Sequence, residues 1–234
     1  MNKNKIIELK NVNKIYKTKV EEIHILKNIN LAFNKGDFVS IQGKSGSGKT
    51  SLLNILGLLD DPTDGEIFIN GEKIHYKNEK SKNNIRNEKI GFVFQFHYLL
   101  KEFTALENVL MPALINKNIN KNDVRKKAKE LLALVGLEKR LKHKPMELSG
   151  GEKQRVAIAS AMINDPDIIL ADEPTGNLDT ETSNLINELF MKINKERGQS
   201  IIIVTHSLEL ANLASYKYKI ENGEFNMILP TIRF

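Results

Sequence analysis

The stretch IQGKSGSGKT, Ile41 to Thr50, sets three glycines and two serines where an apolar strand pattern gives way to a helical one. Glycine in a helix costs roughly 1 kcal/mol relative to alanine, so crowding it at a helix start needs a cause outside the helix. A ligand that must touch bare backbone is such a cause. FVSI (Phe38–Ile41) precedes the loop as a strand, and Leu52, Ile55, Leu56 and Leu59 follow it at helical spacing. Between them, Gly43-x4-Gly48-Lys49-Thr50 fits G-x-x-x-x-G-K-[ST], a loop that curls successive amide N–H groups around phosphate oxygens. The helix behind it adds a positive N-terminal end. Lys49 suits the β- and γ-phosphates of a nucleoside triphosphate, and the Thr50 hydroxyl suits Mg2+. Gly43, Lys44, Ser45, Gly46, Ser47, Gly48, Lys49, Thr50 and Ser51 are the expected cradle. The plainer alternative is a flexible Gly/Ser turn capped by Thr50.

Two further apolar runs, DIILAD (Asp167–Asp172) and SIIIVTH (Ser200–His206), also end at polar residues. Runs so rich in β-branched residues read as strands buried on both faces of a parallel sheet flanked by helices. Polar residues at the carboxyl ends of such strands are where open α/β sheets bind ligands. INLAF (Ile29–Phe33) instead alternates, and EIFI-NG-EKI (Glu66–Ile74) is a hairpin pattern around Asn70-Gly71, which together predict a small antiparallel sheet near the N-terminus. From about Gln95 to Leu148 the pattern is helical, with loop material at Asn116–Asn122 and Lys142–Pro145. KNEKSKNNIRNEK (Lys77–Lys89) reads as a polar connector.

A chain of 234 residues suits one domain, or a core carrying a smaller lobe. No stretch approaches the roughly 20 apolar residues that span a bilayer. MNKNKIIELK lacks the apolar centre of a secretory signal, so the chain is expected to stay where it is made. The absence of cysteine excludes disulfides and thiolate metal sites. The net charge of +6 invites a nucleic-acid or acidic-membrane reading, but the lysines are scattered. Their densest cluster, Arg125-Lys126-Lys127 with Lys129, shares a predicted helix with Asp123 and Glu130 and reads as a solvated face.

The run DIILAD delivers Asp172 and then Glu173 to the sheet edge. Asp172 fits the acidic Mg2+ partner of phosphate-loop enzymes, and Glu173 is placed to orient or deprotonate a water. A helix-capping Asp-Glu-Pro turn is the alternative, since Pro174 stops the strand. His206 ends another buried strand, where it serves either as a structural residue or as a γ-phosphate contact. In LSGGE (Leu148–Glu152), Ser149 and Glu152 form a capping box. Gly150 and Gly151 remain poor choices for a first helical turn, and again suggest amides meeting an anion.

With these motifs in order, the chain resembles the ATP-binding cassette (ABC) ATPases along nearly its whole length. Gly43–Thr50 matches their Walker A, Ile168–Glu173 their Walker B, LSGGE their signature, Gly176-Asn177-Leu178-Asp179 their D-loop, Gln95 their Q-loop and His206 their H-loop. The resemblance implies an α/β fold: a P-loop NTPase core with an N-terminal antiparallel β subdomain and an inserted helical subdomain. It sets the core at 1–94 and 159–234 and the helical subdomain at 95–158. It also implies ATP as ligand with Mg2+, and a head-to-tail dimer in which each ATP lies between one copy's cradle and the other's Ser149, Gly150 and Gly151. By the same carry-over Glu173 is the catalytic base, His206 holds the γ-phosphate, and Gln95 meets Mg2+ and the attacking water. Thr50, Gln95 and Asp172 are the metal residues, Tyr16 stacks on adenine, and Asp179 links the two sites.

QFHYLLKEFTALENVLMPALI (Gln95–Ile115), ADEPTGNLD and THSLELA are similar to the ATPase subunits of lipoprotein-releasing transporters. That likeness implies integral membrane permease subunits as partners, no nucleic acid, and a peripheral place on the cytoplasmic face of the inner membrane. Macrolide or peptide exporters and cell-division regulatory cassettes share ADEPTGNLD and stand as alternatives. Two residues depart from the pattern: Lys101, where proline is usual, and Ser207, where aspartate commonly follows the histidine. The apolar-rich stretch after Gln95 reads as core of the helical lobe, or as a groove for a short helix of the membrane partner.

Overall fold

A computed structural model describes residues 4–18, 20–115 and 119–228. Two long strands, β1 (Lys5–Lys17) and β2 (Glu22–Asn34), lead into β3 (Phe38–Gln42), the cradle loop and α1 (Lys49–Leu56). The hairpin β4 (Asp64–Ile69) and β5 (Glu72–Lys73) comes next, then α2 (Glu79–Lys89) and β6 (Ile90–Val93). The helices α3 (Ala105–Leu114), α4 (Lys121–Leu134) and α5 (Gly150–Ala161) come after it. The chain returns through β7 (Ile168–Asp172), α6 (Thr180–Arg197), β8 (Ser200–Val204), α7 (Leu208–Leu213), β9 (Tyr216–Glu221) and β10 (Glu224–Met227).

The strands make two sheets. The antiparallel one runs β2-β1-β4-β5, and the other runs β10-β9-β3-β8-β7-β6, parallel except for the edge strand β10. Asn70 and Gly71 turn the β4–β5 hairpin at φ +51° and +81°, the left-handed pair that a two-residue turn requires. The parallel sheet divides two cores. On β8, Ile201 and Ile203 pack with the helices α3 to α6, while Ile202 and Val204 pack with α1 and the antiparallel sheet. This two-sided burial is why these strands read as unbroken apolar runs. Val204 pairs with both Ile41 and Asp172, so β3, β8 and β7 end level at one edge.

Three departures from the sequence expectation have physical causes. The polar segment expected as a connector is the helix α2, started by the Asn78 side chain accepting from the Ser81 N–H at 3.0 Å. Its Lys82 is buried, with Nζ 2.8 Å from Asp61 and 2.6 Å from Glu79, so ion pairs anchor it where apolar residues usually would. Residues 95–103 are not helical: they turn sharply, with His97 and Tyr98 at positive φ. The loop expected at Lys142–Pro145 is present, but it is longer than expected: the chain makes turns from Gly136 and a 3-10 turn at Pro145–Glu147 rather than helix. Of the loop expected at Asn116–Asn122, residues 116–118 lie outside the described residues, and α4 starts at Lys121 on an Asn120 cap.

Asn108 in α3, 5% exposed, holds the segment after Gln95. Its Oδ1 accepts from the Leu100 N–H at 2.8 Å, and its Nδ2 donates to the carbonyls of Leu100, Phe103 and Thr104 at 3.0–3.2 Å. Replacing it strands the Leu100 N–H and the Phe103 carbonyl, while the Leu100 and Thr104 carbonyls keep the N–H groups of Phe103 and Asn108. Asn108→Ala is expected to lower unfolding free energy by about 2 kcal/mol. Urea denaturation checks this; an unchanged midpoint contradicts it.

Candidate functional site

Where β3 ends, the chain turns through Gly43–Gly48 into α1. Gly48 takes φ +102° and no side chain caps the helix, so the first-turn amides stay available. A β-carbon on Gly43 would stand 2.6 Å from the Ile220 carbonyl oxygen of β9, so the loop's first glycine is required by packing as well as by any ligand. Lys49 Nζ donates to the Gly43 and Lys44 carbonyls at 2.9 and 3.0 Å, which sets an ammonium across the loop. Ser47 Oγ is buried without a hydrogen-bond partner among the described residues. A cavity of about 470 Å3 opens over the loop, lined by Gly43, Ser45, Gly46, Gly48, Lys49, Thr50 and Ser51. Lys44 and Ser47 face a neighbouring cavity of about 540 Å3 beside β2 and the Asn222-Gly223 turn.

Gln95, Asp172, Glu173 and His206 line the same cavity as the loop. Thr50 Oγ1 donates to Asp172 Oδ2 at 3.3 Å. Burial pushes the Asp172 carboxyl up, and the neighbouring charge of Glu173 pushes the same way, against the Thr50 hydrogen bond and the Lys49 ammonium. Glu173 adopts φ +44°, a left-handed backbone unusual for a side-chain-bearing residue, and donates its N–H to the Val204 carbonyl at 2.9 Å. Its Oε2 accepts from the His206 backbone N–H at 3.1 Å and lies 2.8 Å from His206 Nδ1. That double contact fixes the carboxylate in the cavity wall. Ser207, the departure beside it, caps α7 by accepting from the Leu210 N–H at 3.3 Å.

The donors fit a triphosphate and a hard cation. The orphaned Ser47 hydroxyl, the uncapped helix start and Lys49 suit phosphate oxygens. The Thr50 hydroxyl and Asp172 carboxylate are oxygen donors of the kind Mg2+ takes.

Other expected residues lie outside this cavity's lining. The Tyr16 hydroxyl donates to Asp60 Oδ2 at 2.9 Å, with Lys14 Nζ 4.8 Å from its ring centre. Ser149 caps α5, accepting from the Glu152 N–H at 3.2 Å while Glu152 Oε2 accepts from the Ser149 N–H at 2.8 Å. A β-carbon on Gly151 would stand 2.2 Å from Thr182 Cγ2, so contact between α5 and α6 is itself a reason for that glycine. Asp179 caps α6, and the Thr182 N–H and hydroxyl hold its carboxyl below the usual range. Two residues carry contacts that the sequence did not assign to them. Ile25 lines the cavity, a tertiary crossing with no linear signal. Asn177 accepts from Gln95 Nε2 at 3.0 Å; its signal was its place inside the D-loop run.

Level strand ends, a glycine cradle and paired carboxylates define a P-loop nucleotide hydrolase. The chain belongs to the ABC transporter family, whose profile matches residues 26–176. It is 49% identical to the lipoprotein-releasing system ATP-binding protein LolD of Rickettsia bellii, over 96% of this chain and 99% of that one. The LolD of Aquifex aeolicus is 48% identical, over 94% of this chain and 95% of its own length. A solved dimeric ATP-binding cassette, MJ0796, described as a post-hydrolysis state bound to ADP and Pi, is 43% identical with a TM-score of 0.86, covering 95% of this chain and 99% of that one. The chain is an ATPase of this family.

The raised carboxyl of Asp172 carries a sign for stability. A carboxyl raised on folding opposes folding while ionised, and that penalty fades as pH falls through the raised value. Asp172→Asn is therefore expected to raise the melting temperature at pH 7 and to lose that advantage near about pH 4, the ordinary carboxylate value. Calorimetric scans in EDTA check this; an equal shift at both pH values contradicts it.

Proposed function

We propose that this chain hydrolyses ATP at the cytoplasmic face of the inner membrane to drive a transporter that releases lipoproteins. The observation that carries the reading is the Glu173 carboxylate held by His206 in the same cavity as the phosphate cradle. The relatives' names point to the cargo.

The cradle amides and Lys49 take the phosphates, and Ser47 gains the partner its buried hydroxyl lacks. Thr50, Asp172 and Gln95 would hold Mg2+, which would supply positive charge against the phosphates. Glu173 accepts a proton from the attacking water as the water oxygen bonds to the γ-phosphorus and the bond to the β-phosphate oxygen breaks. His206 keeps that carboxylate aimed through Nδ1, and donates to the γ-phosphate through Nε2 when its ring carries both protons. Tyr16 stacks on the adenine.

Ser149, Gly150 and Gly151 complete the site of a second copy, and Asp179 links the two sites. Their place outside this chain's own cavity lining supports that arrangement, as does the dimeric state of the solved cassette. No helix among the described residues is long and apolar enough to cross a membrane, so the work in the bilayer falls to permease subunits. Phe96, Tyr98, Leu100 and Phe103 are exposed just after Gln95 and form the contact for them. Leu106, 6% exposed, belongs to the core instead. Residues 95–158 then move as one lobe when ATP closes the site.

Glu173→Gln is expected to keep ATP affinity while lowering turnover by about 10²–10⁴-fold, the usual worth of a positioned base. Calorimetry and phosphate release check this; near-parental turnover contradicts it. Phe103→Glu is expected to leave hydrolysis by the isolated chain within about twofold, as a surface change should. It should abolish stimulation by co-reconstituted permease subunits, and undiminished stimulation contradicts the contact.

A further inference from the structure

The Gln95 carboxamide makes one contact that nothing in the reaction so far uses. Its Nε2 donates to Asn177 Oδ1 at 3.0 Å, and Asn177 Nδ2 in turn donates to the Gln95 backbone carbonyl at 3.4 Å. A carboxamide has two ends of similar shape and opposite hydrogen-bonding character, so its orientation is set by its partners. A backbone carbonyl only accepts. It therefore turns the nitrogen of Asn177 toward itself and the oxygen of Asn177 toward Gln95. That oxygen in turn draws the nitrogen of Gln95. The Gln95 oxygen is left, on a residue that lines the nucleotide cavity. Only that atom of the carboxamide can ligate a cation or accept from a water.

Gly176 is shaped to allow this. A β-carbon there would stand 2.9 Å from Gln95 Nε2, so the missing side chain is the space in which the carboxamide rests. Its φ is not in the positive range, so backbone freedom does not explain the glycine. Asn177 itself is exposed, and no packing role competes with this contact.

We propose that Asn177 is a positioning residue that fixes the Gln95 carboxamide with its oxygen toward Mg2+. Asn177 lies two residues before Asp179 on the turn that follows Glu173. A displacement of that turn would carry the partner of the Gln95 carboxamide with it. The inference rests on the reading of Gln95 as the residue that meets Mg2+ and the attacking water.

The test measures ATP affinity by calorimetry with Mg2+ and with EDTA, in full chains carrying Glu173→Gln to stop turnover. Asn177→Ala should keep the EDTA affinity and lose about tenfold of the gain that Mg2+ confers, as removal of a ligand-orienting partner does. Asn177→Asp keeps an acceptor for Gln95 Nε2 and should restore most of that gain. Gly176→Ala, which displaces only the mobile end of Gln95, should follow Asn177→Ala. The proposal is overturned if Asn177→Ala keeps the full gain, if it weakens binding equally in both buffers, or if Asn177→Asp restores nothing. If the parent shows no gain from Mg2+, or Gln95→Ala keeps it, the reading of Gln95 fails and takes this inference with it.

Discussion

The site depends on a matter of register. Val204 pairs with Ile41 on one side and with Asp172 on the other, so three parallel strands stop at the same height. The segments just past those strand ends are then forced into one neighbourhood: the glycine loop after β3, Glu173 after β7 and His206 after β8. A one-residue slip of β8 would turn its side chains to the opposite face and bury Ile202 and Val204 in the wrong core. The two cores that hold the sheet together thus also hold the chemistry in place.

That placement works against stability locally. Two adjacent acidic residues share a partly buried edge, Asp172 is pushed toward its neutral form, and Glu173 occupies a left-handed backbone. These are the marks of a site organised for a charged ligand and not for its own comfort. The compensation is distributed: Thr50 and Lys49 oppose the shift at Asp172, and His206 grips Glu173 through both backbone and ring.

Much of this was legible in one dimension. The strands β3, β7 and β8 announce themselves because burial on both faces demands unbroken apolar runs, and the cradle because few other needs put Gly-x4-Gly-Lys-Thr between strand and helix. The helix α2 was not legible, since ion pairs from the buried Lys82 to the more exposed Asp61 and Glu79 anchor it without the apolar stripe that periodicity detects. The turns after Gln95 were not, because Leu99, Leu100 and Phe103 mimic a helical pattern while Asn108 holds them in another shape. Gly151 and Gly43 invited a ligand explanation where contact with Thr182 and Ile220 is part of the cause. Contacts between segments far apart in the chain leave no local trace.

One copy brings the phosphate cradle, the carboxylates and His206 to its cavity, while its Ser149, Gly150 and Gly151 line no part of it. On this account the glycine-started helix of a second copy closes the site, and hydrolysis belongs to the pair. Sedimentation velocity of the Glu173→Gln chain with saturating ATP and Mg2+ tests this most directly. The account predicts a species with the mass of two chains that reverts to one when nucleotide is removed. A single-chain mass at saturating nucleotide would contradict it.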